Sequence, residues 1–202
     1  MADSPPAKRI TLASKVTLAR ILFIPVFIAL VINYLLGIQA GAPDSTLRWW
    51  AFGLFLAIAT TDALDGNLAR ARNEVSALGR MLDPLADKFL LLSAIILLTR
   101  PELPELSPQI PVWFAALVIV RDVLLALGYI VVRRLAGDAH IQPRWTGKFA
   151  TVLQMAAVLW VLAQFKEANF IWLLYLTGFF TVLAGLQYAW DGRRQVTDSR
   201  GH

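Results

Sequence analysis

Four aspartates between two apolar stretches are the residues of this chain best suited to chemistry. Asp62 and Asp65 are three residues apart, and Asp83 and Asp87 are four residues apart. On a helix, either spacing places both side chains on one face. Two helices could therefore each present a pair of carboxylates to a shared space.

Paired carboxylates suit hard divalent cations, because Mg²⁺ and Mn²⁺ prefer oxygen ligands. The chain has no cysteine and only two histidines, His140 and His202, which excludes thiolate chemistry and argues against a histidine-based site. Two metal ions about 3.5–4 Å apart can hold the attacking and leaving oxygens of a phosphoryl displacement. The sequence therefore indicates metal-dependent phosphoryl transfer. Nearby arginines could bind phosphate oxygens or, as the alternative, form salt bridges with the aspartates: Arg70, Arg72 and Arg80.

The elements that must position these aspartates are apolar helices. Of the 202 residues, 57% are hydrophobic and 16% charged, against about 25% charged in ordinary soluble domains. Six apolar stretches come close to the roughly 20 residues that cross a bilayer core: residues 16–36, 47–63, 81–99, 112–132, 149–165 and 170–190. We predict an all-α integral membrane protein with six transmembrane helices in one bundle.

The basic residues predict how these helices are oriented. Thirteen of the 19 lysines and arginines lie on the side that holds both termini, and three lie on the other side. Because cytoplasmic loops are enriched in lysine and arginine, both termini and the four aspartates are predicted to face the cytoplasm, at the inner membrane. Residues 1–15 would form a cytoplasmic lead-in, 16–192 the membrane domain and 193–202 a polar tail. The net charge of +5 then favours anionic lipid headgroups over nucleic acid as partners.

The residues between the aspartates extend the pattern. The stretch fits D-x2-D-G-x2-A-R-x8-G-x3-D-x3-D at every fixed position, and it resembles the signature of the CDP-alcohol phosphatidyltransferase family. The resemblance continues with VTLAR and a later proline in the first helix, an Arg-acid pair in the fourth, and WTGK before the fifth. The nearest group within the family contains phosphatidylglycerophosphate synthase and the CDP-diacylglycerol-dependent cardiolipin synthase.

The resemblance implies a six-helix membrane enzyme that transfers a phosphatidyl group from CDP-diacylglycerol to an alcohol and releases CMP. It implies two Mg²⁺ or Mn²⁺ ions held by all four aspartates, with Asp87 also as the general base for the alcohol. The CDP moiety would lie near Gly66, Arg70 and Ser76, with Gly79 giving it room. Homodimers are common in the family, which leaves a homodimer open.

Further polar residues outside the signature are candidates for substrate binding. The phosphate of the acceptor could be bound by Arg121 in the fourth helix, together with Arg144 before the fifth helix and Lys148 within it. The alternative for Arg121 is an internal ion pair with its neighbour Asp122. Thr17 and Arg20 in the first helix could line the nucleotide side, against the alternative that Arg20 extends to the membrane interface. The predicted helix-packing glycines are Gly128, Gly147, Gly178 and Gly185.

The acceptor alcohol is predicted to be glycerol-3-phosphate, because a small phosphate dianion suits Arg121, Arg144 and Lys148. The alternative is phosphatidylglycerol, the acceptor of cardiolipin synthase. The Arg121-Asp122 pair replaces the Arg-Glu usual in phosphatidylglycerophosphate synthases, and the ending from Tyr188 to Arg194 also resembles the cardiolipin branch. An ion or anion transporter is a distant alternative, since the acids lie at one side of the membrane and no repeat is visible.

Overall fold

A computed structural model describes residues 12–72, 77–103, 105–136 and 145–199, with side chains over 19–61, 85–103, 105–134 and 145–193. Secondary structure in these ranges is entirely helical. The α-helices described there are α1 (Leu12–Gln39), α2 (Ser45–Arg72), α3 (Ala77–Leu97), α4 (Val112–Ala136), α5 (Trp145–Ala163) and α6 (Phe170–Ser199), with a 3-10 turn at Glu167–Asn169. The lead-in at residues 1–15 lies almost wholly outside the described ranges.

The chain divides into two compact units, residues 1–93 and residues 94–202. The first unit holds α1, α2 and most of α3, and the second holds the end of α3 with α4, α5 and α6. The prediction of a single membrane domain over residues 16–192 stays a prediction.

In the first unit, α1 and α2 pack along one face of each helix. Phe27 and Val31 of α1 are fully buried, and so are Ala51 and Phe55 of α2. The four-residue spacing within each pair places its members on one helical face. The rings of Phe27 and Phe55 meet with centroids 5.5 Å apart. Aromatic packing between these faces therefore fixes the pairing of α1 with α2.

The connection from α1 to α2 is set by local hydrogen bonding. Gly41 has a positive φ of 72°, and its N–H donates to the carbonyl of Ile38 while the N–H of Ala42 donates to that of Gly37. This pattern is a Schellman motif, in which glycine takes the left-handed position at low cost. The next helix then begins with a cap, since Asp44 Oδ1 accepts from the N–H of Thr46 at 2.8 Å.

In the second unit, α6 packs against both α4 and α5. Three glycines of α6 recur at intervals of seven residues, and each is approached by an α4 side chain. A Cβ at Gly178 would lie 3.4 Å from Leu117, one at Gly185 3.8 Å from Arg121, and one at Gly192 3.4 Å from Val132. These three glycines therefore lie on the face of α6 that packs against α4.

The packing predictions for the glycines are therefore mixed. Gly178 and Gly185 lie at close helix contacts as predicted, and a Cβ at Gly147 would also meet neighbouring side chains. The prediction for Gly128 is wrong for the described part of the chain, because a Cβ there would meet none of the described residues within 4 Å. Gly192 has a packing role that the sequence did not indicate, because it lies in a polar segment beyond the last apolar stretch.

Buried polar contacts join α5 to α6. Thr146 Oγ1 donates to Gln187 Oε1 at 2.6 Å, and Gln154 Nε2 donates to Thr181 Oγ1 at 3.2 Å. Thr146 and Thr181 are fully buried, and Gln154 is 3% exposed. Since buried polar groups without partners are costly, these bonds fix the register of the two helices.

Among the described residues, four helical segments are long and apolar enough to cross a membrane: Ala19–Gln39, Val112–Arg134, Trp145–Ala163 and Glu167–Arg193. Large apolar side chains also cover their outer surfaces, including Leu22, Trp172 and Leu186, which are at least 64% exposed. The prediction of an all-helical membrane protein is confirmed. Two further points stay predictions: that α2 and α3 also span the membrane, and on which side the termini lie. In α2 and α3 the apolar part is shortened by the polar residues of the aspartate motif.

Candidate active site

The backbone of α2 is helical through Asp62 and Asp65, and that of α3 is helical through Asp83 and Asp87. Spacings of three and four residues therefore place each pair of Cα positions on one helical face. Most of the predicted metal and nucleotide residues lie outside the ranges in which side chains are described: Asp62, Asp65, Asp83, Gly66, Arg70, Ser76, Gly79 and Thr17. Their predicted roles stay predictions.

Asp87 and Arg20 are the two residues predicted for this part of the site whose side chains are described. Arg20 Nη1 donates to Asp87 Oδ1 at 2.7 Å. The Arg20 side chain is 4% exposed and that of Asp87 24% exposed. The contact joins α1 to α3, two helices whose interacting residues are 67 positions apart in the sequence. The structure thus brings together a predicted nucleotide-binding residue and the predicted general base.

The helical period explains why Arg20 and Asp87 lie at the interior. Arg20 precedes the buried Phe27 and Val31 by seven and eleven residues, so it lies on the buried face of α1. Asp87 follows Ala86 and precedes Leu91 by one turn; both of these are buried. The alternative in which Arg20 extends to the membrane interface does not fit a residue with 5% exposure.

Arg121 and Asp122 form an ion pair within α4. Arg121 Nη1 donates to Asp122 Oδ1 at 2.6 Å, and the two side chains are 12% and 15% exposed. The predicted internal pair is therefore present. Arg121 Nε is nevertheless buried and has no hydrogen-bond partner within the described part of the chain. A buried donor in this state is suited to an anionic ligand.

The Arg121 side chain lies against α5 and α6, with its Nη2 near Gly147 at the start of α5 and its Cγ near Gly185 in the middle of α6. A Cβ at Gly147 would lie 3.4 Å from Arg121 Nη2 and 3.7 Å from the hydroxyl of Tyr188. Glycine at position 147 therefore leaves space beside both groups, and its neighbour Lys148 is exposed. The structure thus places Arg121 close to the segment that carries Lys148, whereas Arg144 lies outside the described residues.

Tyr188 is a residue that the sequence did not assign to the site. Its hydroxyl and Arg121 Nη2 both lie within 4 Å of one position, the Cβ position of Gly147. The signal available in the sequence was its place in the Tyr-x-x-x-Gly-Arg-Arg ending. That ending was connected with the choice of acceptor, but not with contact to Arg121.

The four aspartates fit a divalent cation by their chemistry, since they supply only oxygen donors. Within the described side chains, no group of three or more His, Cys, Asp or Glu residues could hold a metal ion. That result follows from the described ranges, because three of the four aspartate side chains lie outside them. Asp87 is the member of the set whose surroundings are described, and its Oδ1 accepts from Arg20.

Comparison with known proteins decides the family. The model of the family described as CDP-alcohol phosphatidyltransferase matches residues 10–183, which is well over half of the 202 residues. The chain belongs to the CDP-alcohol phosphatidyltransferase family. The match includes the whole aspartate motif and both ion pairs, and it confirms the resemblance drawn from residues 62–87. The protein is accordingly a transferase of phospholipid biosynthesis.

Three relatives of known name show how far the similarity extends. The chain is 33% identical over 187 residues, 88% of its length and 92% of the relative's, to the CDP-diacylglycerol--glycerol-3-phosphate 3-phosphatidyltransferase of Bacillus subtilis. It is 29% identical over 91% of its length and 94% of the relative's to the Haemophilus influenzae protein of the same name. A cardiolipin synthase (CMP-forming) of Streptomyces coelicolor is 32% identical to the chain. That match covers 73% of the chain and 63% of the relative's length.

Proposed function

We propose that this enzyme transfers the phosphatidyl group of CDP-diacylglycerol to glycerol-3-phosphate and releases CMP. The observation that carries this proposal is the near full-length similarity to relatives named for that reaction, over 88% and 91% of the chain. In the reaction, a hydroxyl oxygen of the acceptor bonds to the phosphorus that carries the diacylglycerol, and the phosphorus–oxygen bond to CMP breaks. The hydroxyl proton has to be accepted by a base.

Asp87 is the base that we assign to this step. Its carboxylate is partly exposed, at 24%, so a substrate hydroxyl can approach it. It lies one turn from buried residues of α3 and is held by Arg20 at 2.7 Å. A carboxylate whose position is fixed before the substrate arrives loses less entropy in the transition state than a mobile one.

The metal ions belong to the same proposal. Asp62, Asp65 and Asp83 would hold two Mg²⁺ or Mn²⁺ ions together with Asp87, which would share its role between metal binding and proton transfer. The ions would stabilise the negative charge on the phosphoryl oxygens. The helical backbone at both pairs supports this assignment, since each pair of aspartates shares a face. The CDP moiety would be bound by Gly66, Arg70 and Ser76, with Gly79 and Thr17 beside it.

The acceptor phosphate is assigned to the surroundings of Arg121. Its Nε is a buried donor without a described partner, and Lys148 follows the glycine that lies against its Nη2. An arginine that binds phosphate through several N–H groups gives both charge and direction. Together with Arg144, this set would favour a small phosphate dianion over a neutral alcohol.

The placement in the cell follows from the charge pattern. The excess of lysine and arginine on one side supports an inner-membrane protein with both termini and the aspartates at the cytoplasmic surface. A water-soluble acceptor such as glycerol-3-phosphate could then reach the site directly. A homodimer is compatible with this arrangement and is left to a measurement of oligomeric state.

Phosphatidylglycerol is the second candidate acceptor, which would make the product cardiolipin. Two observations favour it: the similarity to the Streptomyces coelicolor cardiolipin synthase, and the aspartate at position 122 beside Arg121. The match to that relative covers less of either chain than the matches to the phosphatidyltransferases do. Glycerol-3-phosphate is therefore the acceptor we propose.

An acceptor-exchange assay tests the proposal. Purified protein in detergent would be given CDP-diacylglycerol and Mg²⁺ or Mn²⁺, with glycerol-3-phosphate, phosphatidylglycerol or no acceptor, and CMP release would be followed. We expect release with glycerol-3-phosphate, and its loss when a chelator removes the metal. Release with phosphatidylglycerol alone would replace the proposed acceptor, and no release with any acceptor would overturn the enzyme assignment.

A further inference from the structure

The ion pair between Arg20 and Asp87 has a feature that stability alone does not explain. Arg20 lies in the apolar part of α1 and is 5% exposed, and its Nη1 meets Asp87 Oδ1 at 2.7 Å. That distance is typical of a charge-assisted hydrogen bond. A buried ion pair contributes little net stability, because desolvation of both charges offsets their attraction, and apolar residues of similar size often stabilise a fold more.

The geometry points to a second purpose for this contact. An arginine on α1 fixes the direction of a carboxylate on α3, because the planar guanidinium and its rigid N–H groups accept few orientations. Both residues lie on the buried faces of their helices: Arg20 shares the face of α1 that carries Phe27, and Asp87 lies one turn before Leu91 of α3. The carboxylate of Asp87 is thereby oriented by a group that comes from outside the aspartate motif.

We propose that Arg20 is a positioning residue for Asp87: by holding Oδ1 it sets the orientation in which the carboxylate meets the acceptor hydroxyl. This inference rests on the proposed function, in which Asp87 accepts the proton of the alcohol. It differs from the role predicted from the sequence, in which Arg20 contacts the nucleotide. The two roles have different kinetic consequences, and they can be separated.

A nucleotide contact would be made in the ground state as well as in the transition state, so its removal would raise KM for CDP-diacylglycerol and weaken CDP binding. A residue that acts through Asp87 would change kcat and leave CDP affinity nearly unchanged. The effects of changing Arg20 and Asp87 would also fail to add, because both changes remove the same oriented carboxylate.

The experiment is a double-mutant cycle in the full-length purified protein, with Arg20→Gln, Asp87→Asn and the double variant. CMP release and direct binding of CDP would be measured for each. We expect Arg20→Gln to lower kcat about 10- to 100-fold, the range found for residues that support a catalytic ligand. We expect CDP affinity to stay close to that of the unchanged protein, and the double variant to be no slower than Asp87→Asn.

Arg20→Lys provides a variant that keeps the charge. If orientation by the guanidinium matters, Arg20→Lys should fold and melt like the unchanged protein. It should recover only part of the kcat that Arg20→Gln loses. Full recovery of kcat by lysine would show that charge alone suffices, and it would overturn the positioning role.

Arg48 offers a matched control, because it is also buried, at 8% exposure, and its guanidinium carbon lies 4.9 Å from the centre of the Trp49 ring. Arg48→Gln should reduce stability while the folded protein keeps its kcat. The same behaviour in Arg20→Gln would make Arg20 a structural residue only. Additive losses in the cycle, or weaker CDP binding with unchanged kcat, would also overturn the proposal. If the unchanged protein releases no CMP with any acceptor, the proposed function fails instead.

Discussion

Arg20 and Arg121 are both largely buried and both bind an aspartate, but their partners come from different places. Arg20 binds Asp87, 67 residues away on another helix, whereas Arg121 binds Asp122, the next residue of its own helix. The first pair connects two elements and orients a carboxylate of the signature. The second is a local pair that leaves a buried guanidinium N–H without a described partner.

The different partners of Arg20 and Arg121 indicate that these two arginines have different functions. In residues 1–93, an arginine supports the carboxylate assigned to proton transfer. In residues 94–202, Asp122 partly balances the charge of Arg121. The Nε–H group of Arg121 remains available to donate a hydrogen bond to an anion. We expect changes in the first unit to act mainly on turnover and changes around Arg121 to act mainly on the acceptor.

The largest effect is expected from Asp87→Asn. The amide keeps the size of the side chain but cannot accept the proton, so turnover should fall by about 100- to 10,000-fold, the usual contribution of general base catalysis. CDP binding should persist. The measurements are CMP release and equilibrium binding of CDP. Turnover close to that of the unchanged protein would remove Asp87 from the base role and break the first half of the comparison.

The next effect is expected from Arg121→Gln. A hydrogen bond to a charged group contributes about 1.5–3 kcal/mol, so kcat/KM for glycerol-3-phosphate should fall by roughly 10- to 150-fold, mostly through KM. The KM for CDP-diacylglycerol should change little, and kinetics with each substrate varied in turn would check this. Asp122→Asn is the matched control, since it removes the local ion pair but leaves the guanidinium. Equal losses in both variants would assign Arg121 to the ion pair alone.

A smaller effect is expected from Gly147→Ala. The added methyl group would lie 3.4 Å from Arg121 Nη2, at the close end of van der Waals contact, and it would fill the space beside the guanidinium. We expect a KM for glycerol-3-phosphate raised several-fold, with kcat and the melting temperature little changed.

Gly128→Ala is the control for that experiment, because a Cβ there meets no atom of the residues that the structure describes within 4 Å. Alanine is favoured over glycine in helices by about 1 kcal/mol, so this variant should keep its activity and be no less stable. If both variants behaved alike, the contact between Gly147 and Arg121 would have no bearing on acceptor binding.

The smallest effect is expected from Thr146→Val. Valine keeps the shape of the side chain but removes the donor to Gln187 at 2.6 Å, leaving a net loss of about 1 kcal/mol. Thermal unfolding would show a slightly lower midpoint, with kcat and both KM values unchanged. A change in acceptor KM would extend the acceptor site to this pair of helices.

The fold was largely predictable from the apolar pattern. Four of the six predicted stretches lie within a described α-helix, and the stretches 81–99 and 149–165 extend two residues beyond α3 and α5. Helices are expected because, in a bilayer, a helix satisfies all of its backbone hydrogen-bonding groups internally. The helix ends were less predictable. α2 continues to Arg72, nine residues beyond its apolar stretch, because helical hydrogen bonding does not stop where the side chains become polar.

The candidate site was predictable in its local parts and not in its distant ones. The aspartate spacings and the Arg121-Asp122 pair depend on one helix at a time, which sequence spacing determines. The contact between Arg20 and Asp87 depends on how α1 and α3 come together, so neither residue alone revealed it. The approach of Tyr188 and Gly147 to Arg121 has the same cause, since it joins three helices.

The measurement that tests the central claim most directly is CMP release from CDP-diacylglycerol with the acceptor varied. With Mg²⁺ or Mn²⁺ present, we expect release with glycerol-3-phosphate and far less with phosphatidylglycerol or without an acceptor. Release with phosphatidylglycerol and not with glycerol-3-phosphate would contradict the proposed acceptor. The absence of release with every acceptor would contradict the proposed transferase reaction itself.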